Sequence, residues 1–249
     1  MNERSGSDAR SRPSPIQSSK REDWFVEMPS APGSRVLLLD LDGTIADTLP
    51  HIFNAYRHAV AEWVTTPPTD AEVEATFGPA ERDCLALMVP EESVDLAESR
   101  FHAYYESGLE RQVRLAEGMD EVIGQAQQLG WKVGVFTGKG RRSARFTLIE
   151  LGLWDQIEVL VSSDDVQRPK PDSEGVFQAS SRLGVPTSHI LMVGDSPADV
   201  QAGKGAGART AAALWAAFKP DRLKEAGADF LCESIPDLIE AIKHLDDES

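Results

Sequence analysis

The sequence predicts an α/β protein, with a doubly wound, mostly parallel, Rossmann-like sheet and an all-helical segment inserted near the start of the fold. Short apolar runs recur along the chain and alternate with segments of helical spacing that stop at glycine or proline, which is typical of βαβ units. The runs are 36–41, 133–136, 159–161, 190–193 and 210–214. The stretch between about 48 and 115 has helical segments and no strand-like run, which indicates the insertion.

This pattern divides the chain into three parts. Residues 1–33 are rich in Ser, Arg, Pro and Asp and lack the apolar stretch of a secretory signal, so we expect a disordered tail. Residues 34–47 and 116–249 make up the predicted α/β core. Residues 48–115 make up the predicted helical insertion.

The insertion contains two long segments of helical character, near 49–64 and 92–109. Phe101, Tyr104 and Tyr105 recur at helical spacing in the second segment. Aromatic side chains at this spacing more often pack inside a helical unit than bind a ligand. We therefore expect them to form the interior of the insertion.

Composition and charge limit the classes of partner. The chain has 249 residues, 41% of them hydrophobic and 27% charged, which is typical of a globular protein. A formal net charge of −16 opposes non-specific binding to nucleic acid or to an anionic membrane. No apolar run is long enough to cross a bilayer, and Cys84 and Cys232 lie too far apart for a paired metal motif. We expect a cytoplasmic monomer or homodimer without nucleic-acid or membrane partners.

Two carboxylates directly follow the most apolar run, in the segment Asp40-Leu41-Asp42-Gly43-Thr44. In an open parallel sheet, ligands bind outside the carboxyl ends of the strands, so Asp40 and Asp42 lie where chemistry is expected. An Asp-Gly pair alone is an ordinary turn. Asp-x-Asp-Gly-Thr after a buried strand is far more specific and indicates a catalytic pair.

Three further segments carry polar side chains that could act at the same site. Thr137 and Gly138 offer a hydroxyl and a backbone N–H that can hold a phosphoryl oxygen. Lys170 lies between two prolines that would hold it as a fixed point charge, although an exposed loop lysine is the ordinary alternative. Asp195 and Asp199, four residues apart, are hard oxygen ligands that suit Mg²⁺, or else a turn residue and a first-turn helix acid.

In this order and spacing, the four motifs resemble those of the haloacid dehalogenase-like superfamily, over about residues 36–242. Within it, the chain is similar to the phosphoglycolate phosphatase group, whose helical cap is inserted just after the first motif. The resemblance implies a Mg²⁺ ion held by the Asp40 carboxylate, the Asp42 backbone carbonyl and Asp195. It also implies that Asp199 orders the metal's waters, and that Asp40 attacks phosphorus and becomes an aspartyl phosphate.

The expected enzyme is therefore a phosphoric monoester hydrolase acting on a small, phosphoglycolate-like phosphorylated metabolite. Asp42 is the natural general acid for the leaving alkoxide and then the base for the hydrolytic water. Thr137 and Lys170 would hold the transferring phosphoryl oxygens. One departure from relatives is that Gly138-Lys139 follows Thr137 where an Asn is common, so Lys139 can add a cation that alters substrate choice.

Several alternatives stay open, because the four motifs bind only the phosphoryl group and the metal, and the cap selects the substrate. They are a pyrophosphatase, a nucleotide or sugar-phosphate phosphatase, and a phosphomutase. A branch that uses a cap lysine as a Schiff base is disfavoured, since no lysine lies between Asp47 and Glu117. A catalytically silent binding protein is disfavoured by the intact motif set.

Arg82 is the candidate that reads the rest of the substrate. It follows a Gly-Pro turn at 78–79, in a segment that resembles the substrate-facing loop of capped phosphatases. A guanidinium matches a carboxylate in a bidentate way, which a metal committed to phosphate cannot do. We expect Arg82 to bind a second anion of the substrate, with an exposed surface arginine as the alternative.

Overall fold

The computed structural model describes residues 34–248, except for the side chains at 110 and 111, so the predicted tail at 1–33 lies outside the described residues. The strands are β1 (Val36–Leu39), β2 (Ala46–Asp47), β3 (Arg114–Leu115), β4 (Lys132–Phe136), β5 (Val159–Val161), β6 (Ile190–Gly194), β7 (Arg209–Ala213) and β8 (Phe230–Cys232). The helices are α1 (Leu49–Val60), α2 (Asp70–Glu74), α3 (Glu81–Ala86), α4 (Val94–Gln112), α5 (Met119–Gln128), α6 (Arg141–Glu150), α7 (Glu174–Leu183), α8 (Pro197–Gly205), α9 (Pro220–Glu225) and α10 (Ile235–Asp247).

The main sheet is parallel and has the strand order β5-β4-β1-β6-β7-β8. Strand β1 lies at its centre, and Leu39 is in register with Val135 of β4 and Val193 of β6. The carboxyl ends of these three strands therefore meet at one edge. The first, second and fourth motifs follow them directly, so the sheet itself brings the motifs together.

The two faces of the sheet pack on different helices, which makes the fold doubly wound as predicted. Leu37 and Leu39 point into the larger apolar core, with α5, α6 and α10. Val36 and Leu38 point into the other core, with α7 and α8. All four side chains are fully buried, which explains why the sequence of β1 is continuously apolar instead of alternating.

The insertion is helical, as predicted, and it begins and ends at a two-stranded ribbon. Ala46 of β2 pairs with Leu115 of β3, and Asp47 pairs with Arg114. Helices α1 to α4 lie between these strands. The first predicted helix is shorter than expected, since α1 ends at Val60, and the second is longer, since α4 reaches Gln112.

Aromatic rings form the interior of the insertion. Tyr56 of α1 lies 4.8 Å from Phe101 of α4, and Phe101 stacks on Tyr105 at 5.7 Å, measured between ring centroids. All three side chains are almost fully buried, while Tyr104 is only partly buried. The expected packing role holds for Phe101 and Tyr105, but Tyr105 also contacts Thr147 of the α/β core through its hydroxyl.

Among residues 34–248, no helix combines the length and the apolar character that a membrane span requires.

Candidate active site

Asp40 and Lys170 form the centre of the site. Asp40 directly follows β1, and its backbone N–H donates to the carbonyl of Val193 on β6. Lys170 Nζ donates to Asp40 Oδ1 at 2.7 Å, to Asp199 Oδ1 at 2.6 Å and to the Phe136 carbonyl at 3.3 Å. Lys170, which lies between two prolines in the sequence, is thus a mostly buried cation, 11% exposed, held between two carboxylates.

The charges in this cluster are not balanced. Burial, opposed by Lys170 and reinforced by repulsion from Asp199 and Asp42, raises the pKa of Asp40 to about 7. Burial and repulsion from Asp40 and Asp199 raise the pKa of Asp195 well above its ordinary value. Burial acts to lower the pKa of Lys170, but Asp199 and Asp40 outweigh it and raise that pKa. One lysine among several carboxylates leaves an excess of negative charge that a cation would neutralise.

The carboxylates that could hold this cation lie close together. Asp40, Asp195 and Asp199 each offer an oxygen within 4.8 Å of the others. Gly43 makes this approach possible: its φ is +81°, and a Cβ there would stand 2.7 Å from Asp195 Cγ. An all-oxygen donor set of this kind fits Mg²⁺.

Asp199 has a more specific position than its spacing predicted. Its Oδ2 accepts hydrogen bonds from the Ser196 backbone N–H at 3.1 Å and the Ser196 hydroxyl at 2.6 Å, which form the capping box of α8. Its Oδ1 accepts from Lys170. Asp199 therefore fixes Lys170 to the start of α8. A role in ordering the metal's waters stays a prediction.

Asp42 is held from two sides. The Thr48 hydroxyl donates to Asp42 Oδ1 at 2.5 Å, and Lys139 Nζ lies 3.3 Å from Asp42 Oδ2. Because Thr48 gives its hydroxyl to Asp42, α1 begins without a side-chain cap. Each carboxylate oxygen of Asp42, the predicted general acid, therefore has its own partner, the Thr48 hydroxyl or the Lys139 ammonium.

From the sequence, Lys139 was predicted only as an added cation that departs from relatives. The structure places it in direct contact with Asp42. Its side chain is 3% exposed, and its Nζ lies 4.6 Å from the Tyr105 ring of α4. Burial acts to lower the pKa of Lys139, but Asp42, Tyr105 and Glu81 outweigh it and raise that pKa, so the side chain stays a cation. A lysine directly after a Thr-Gly strand end was the available sequence signal.

Thr137 and Gly138 border the site at the end of β4. Thr137 is buried, its backbone N–H donates to the Val161 carbonyl, and its hydroxyl oxygen accepts from the Lys139 N–H at 3.1 Å. Gly138 has open space where a Cβ would stand. The hydroxyl proton of Thr137 can therefore serve a bound oxygen, and the backbone at Gly138 can be approached closely.

A cavity of about 550 Å³ connects these residues to the insertion. Six of the eight predicted site residues line it: Asp40, Asp42, Thr137, Gly138, Lys170 and Asp195. Asp199 contacts Lys170 from outside the cavity lining. The structure therefore brings seven of the eight predicted residues into one connected site.

Arg82 is the eighth, and the structure places it elsewhere. Its guanidinium donates to Asp95 Oδ1 and to Glu98 Oε2, both at 2.6 Å, and it does not line the cavity. These acids lie on α4, against which α3 packs, so the ion pairs hold Arg82 on the outside of the insertion. The structure gives Arg82 a place among surface ion pairs and corrects the expectation that it faces the substrate.

Comparison with known proteins agrees with this architecture. A family model for haloacid dehalogenase-like hydrolases matches residues 37–213. The pyrophosphatase PpaX of Bacillus velezensis is 31% identical over 203 residues, which cover 82% of this chain and 94% of that protein. The N-acetylmuramic acid 6-phosphate phosphatase of Pseudomonas aeruginosa is 32% identical over 222 residues, with 84% and 94% covered.

Among solved structures, a predicted phosphoglycolate phosphatase from Haemophilus somnus has the same fold. It superimposes with a TM-score of 0.75 at 18% identity and covers 84% of this chain and 98% of its own. The match of the family model confirms the resemblance drawn from the four motifs, and the structural match confirms the fold class.

Proposed function

The chain belongs to the haloacid dehalogenase-like hydrolases, and from that premise we propose that it is a Mg²⁺-dependent phosphatase that acts on a small phosphorylated metabolite through an aspartyl phosphate on Asp40. The observation that carries the proposal is the position of Asp40 in the cavity, 2.7 Å from Lys170 and beside Asp42 and Asp195. In this proposal, 34–47 with 116–249 is the catalytic core and 48–115 is the cap.

Four side chains of this chain have distinct roles in the first step. The Asp40 carboxylate attacks phosphorus, and the bond from phosphorus to the leaving oxygen breaks. Asp42 gives its proton to that oxygen, so an alcohol leaves. Lys170 and Thr137 hold the equatorial oxygens as charge redistributes over them.

In the second step, a water molecule attacks the phosphorus of the aspartyl phosphate. Asp42, now a carboxylate, accepts the proton of this water, and the bond between phosphorus and Asp40 breaks. Inorganic phosphate and the original enzyme result. A Mg²⁺ ion held by Asp40, Asp195 and the Asp42 carbonyl would supply charge neutralisation for the incoming phosphate.

Two classes of substrate fit this mechanism. A phosphoglycolate-like monoester is the first, as the sequence suggested. Pyrophosphate is the second, because several relatives of 27–31% identity are named pyrophosphatases. With pyrophosphate, the leaving group would be inorganic phosphate, and the same residues would act.

The test of the proposal is Asp40→Asn, assayed with Mg²⁺ on phosphoglycolate, pyrophosphate and p-nitrophenyl phosphate. An amide of the same shape cannot act as the nucleophile, so phosphate release should fall by at least about 10⁴-fold with an unchanged circular dichroism spectrum. Beryllium fluoride should inhibit the wild type. Asp83→Asn, an exposed carboxylate of the cap, is the control and should retain full activity. Turnover of Asp40→Asn within tenfold of the wild type would contradict the covalent route.

A further inference from the structure

The cavity is larger than a phosphate and a metal ion require. Cavities of about 300–1,000 Å³ hold molecules of drug size, and this one is about 550 Å³. Beyond the carboxylates, its lining is mainly apolar, with Ile52, Phe53 and Tyr56 supplied by α1. A two-carbon acid or a second phosphate would leave this surface in contact with water.

Two aromatic rings at the cavity are substantially exposed to solvent. Phe77 of the cap is 38% exposed, and Phe218 of the core, after β7, is 57% exposed. Phe77 is held in place by stacking on Phe53, with centroids 6.1 Å apart and ring planes 11° apart. Exposed rings from both domains that line one cavity indicate a surface that a ligand covers.

Among residues 34–248, the same region has one cationic side chain without an acidic partner. Four cationic side chains line the cavity, and three of them have acidic partners: Lys139 with Asp42, Lys170 with Asp40 and Asp199, and Lys219 with Glu74. The fourth is Arg222 of α9. Within residues 34–248, its guanidinium makes no ion pair and no side-chain hydrogen bond, in a protein whose net charge is −16.

Hydrogen bonds connect the segment before α9 to the first motif, which contains the proposed nucleophile, and to β8. Trp215, in the segment that leads to α9, donates its indole N–H to the Thr44 carbonyl at 3.2 Å, and Thr44 belongs to the first motif. The Leu214 N–H donates to the Cys232 carbonyl of β8. Arg222 is therefore presented from the catalytic core at the same edge of the sheet as Asp40.

We propose that the substrate's leaving group combines an apolar, ring-sized body with a second anion, such as a carboxylate or another phosphate. The body covers Phe77 and Phe218, and the anion pairs with Arg222. This inference rests on the proposed phosphatase function and narrows its substrate class. Phosphoglycolate supplies the anion without the body, and pyrophosphate has no apolar part.

The test uses four primary alkyl phosphates that cross the two features. Benzyl phosphate has the ring, phosphoglycolate the anion, 4-carboxybenzyl phosphate both, and ethyl phosphate neither. We expect kcat/KM with Mg²⁺ to be highest for 4-carboxybenzyl phosphate. Arg222→Gln should lower that value at least about tenfold more than it lowers the value for benzyl phosphate, because the charge-assisted hydrogen bond exists only with the carboxylate. Arg222→Lys should recover part of the loss.

The ring is tested by Phe218→Ala. It should lower kcat/KM for the two benzyl esters about five- to tenfold more than for ethyl phosphate, because only the benzyl esters lose apolar contact. Ratios between the variant and the wild type cancel differences in leaving-group reactivity. Arg82→Gln is the matched arginine control, and it should change none of the four values.

Three outcomes would overturn the inference. Equal losses for Arg222→Gln on 4-carboxybenzyl and benzyl phosphate would remove the anion site. A selective loss for Arg82→Gln would move the anion site to the cap. Turnover of ethyl phosphate as good as that of the benzyl esters would remove the ring site. In all three cases the proposed phosphatase stands. Hydrolysis of pyrophosphate but of none of the four esters would overturn this inference alone, and hydrolysis of neither pyrophosphate nor any of the esters would contradict both proposals.

Discussion

At the scale of single residues, Lys139 links the proposed general acid to the cap. It contacts Asp42 Oδ2 at 3.3 Å on one side and the ring of Tyr105 on the other. The Tyr105 hydroxyl in turn lies 2.9 Å from the Thr147 hydroxyl of α6. A buried cation in this position fixes one oxygen of Asp42 while the Thr48 hydroxyl fixes the other.

We predict that Lys139→Met lowers kcat more on esters with poor leaving groups than on those with good ones. An alkoxide needs a proton from Asp42 as it leaves, whereas p-nitrophenolate does not. The loss should be about tenfold to 100-fold for an alkyl phosphate and several-fold less for p-nitrophenyl phosphate. Steady-state kcat and KM on both substrates provide the measurement, and Lys139→Arg should restore part of the difference. Equal losses on both would assign Lys139 a structural role only.

The sequence located Asp40 and Asp42 because both follow directly on a strand whose apolar character is unmistakable. Asp195 could be placed for the same reason, at the end of β6. Arg82 could not, because its partners Asp95 and Glu98 come from the packing of α3 on α4, which no local pattern encodes. Arg222 gave no sequence signal, because its proposed role rests on the absence of an acidic partner among residues 34–248, which only the folded structure shows.

At the scale of secondary-structure elements, the cap contacts the core through Glu81 at the start of α3. Its Oε2 accepts a hydrogen bond from the Gly140 N–H at 2.8 Å, at the beginning of α6. Gly140 has an extended conformation that any residue can adopt. Its small size matters instead, because a Cβ would lie 3.3 Å from Glu81 Cδ and closer still to Oε2.

We predict that Gly140→Ala lowers the free energy of unfolding by about 1–3 kcal/mol, because it displaces the Glu81 carboxylate from its donor. Without the clash, the same substitution should stabilise by about 0.4–1 kcal/mol through the unfolded state. In a Glu81→Ala background, Gly140→Ala should therefore become neutral or stabilising. Urea denaturation of both single variants and the double variant measures this coupling.

Gly124 on α5 is the matched control, since a Cβ there meets no atom within 4 Å. Gly124→Ala should be neutral or stabilising in either background. If Gly140→Ala costs the same free energy with and without the Glu81 side chain, the contact between Glu81 and Gly140 does not explain the glycine.

The strands that are buried on both faces were predictable, and the others were not. Strands β1, β4, β5, β6 and β7 coincide with the apolar runs, because both of their faces are covered. Strand β5 and strand β8 are both three residues long and lie at opposite edges of the sheet, but β5 is buried throughout, whereas Leu231 of β8 is half exposed, and β8 was missed. The β2–β3 ribbon was also missed, since two residues in each strand carry no periodicity.

At the scale of the whole molecule, the fold maintains an acidic cluster that costs stability. Asp195 has a pKa well above its ordinary value because of burial and of repulsion from Asp40 and Asp199. A carboxyl that binds its proton more tightly in the folded than in the unfolded chain subtracts from stability at neutral pH, since the unfolded chain ionises it more readily. A protein with a net charge of −16 gains nothing from such crowding unless a cation is bound.

We therefore predict opposite effects of Asp195→Asn with and without Mg²⁺. In EDTA, the variant should unfold with a free energy about 0.5–2 kcal/mol higher than the wild type, because the amide removes the repulsion. Mg²⁺ at about 100 times its dissociation constant should stabilise the wild type by about 2.7 kcal/mol, and it should stabilise the variant far less. Thermal and urea unfolding measure both effects without an activity assay.

Asp155→Asn, at an exposed position, is the control and should leave the Mg²⁺ response intact. A variant that is less stable than the wild type in EDTA would show that Asp195 supports the fold through its charge, and an unchanged Mg²⁺ response would remove it from the ligand set.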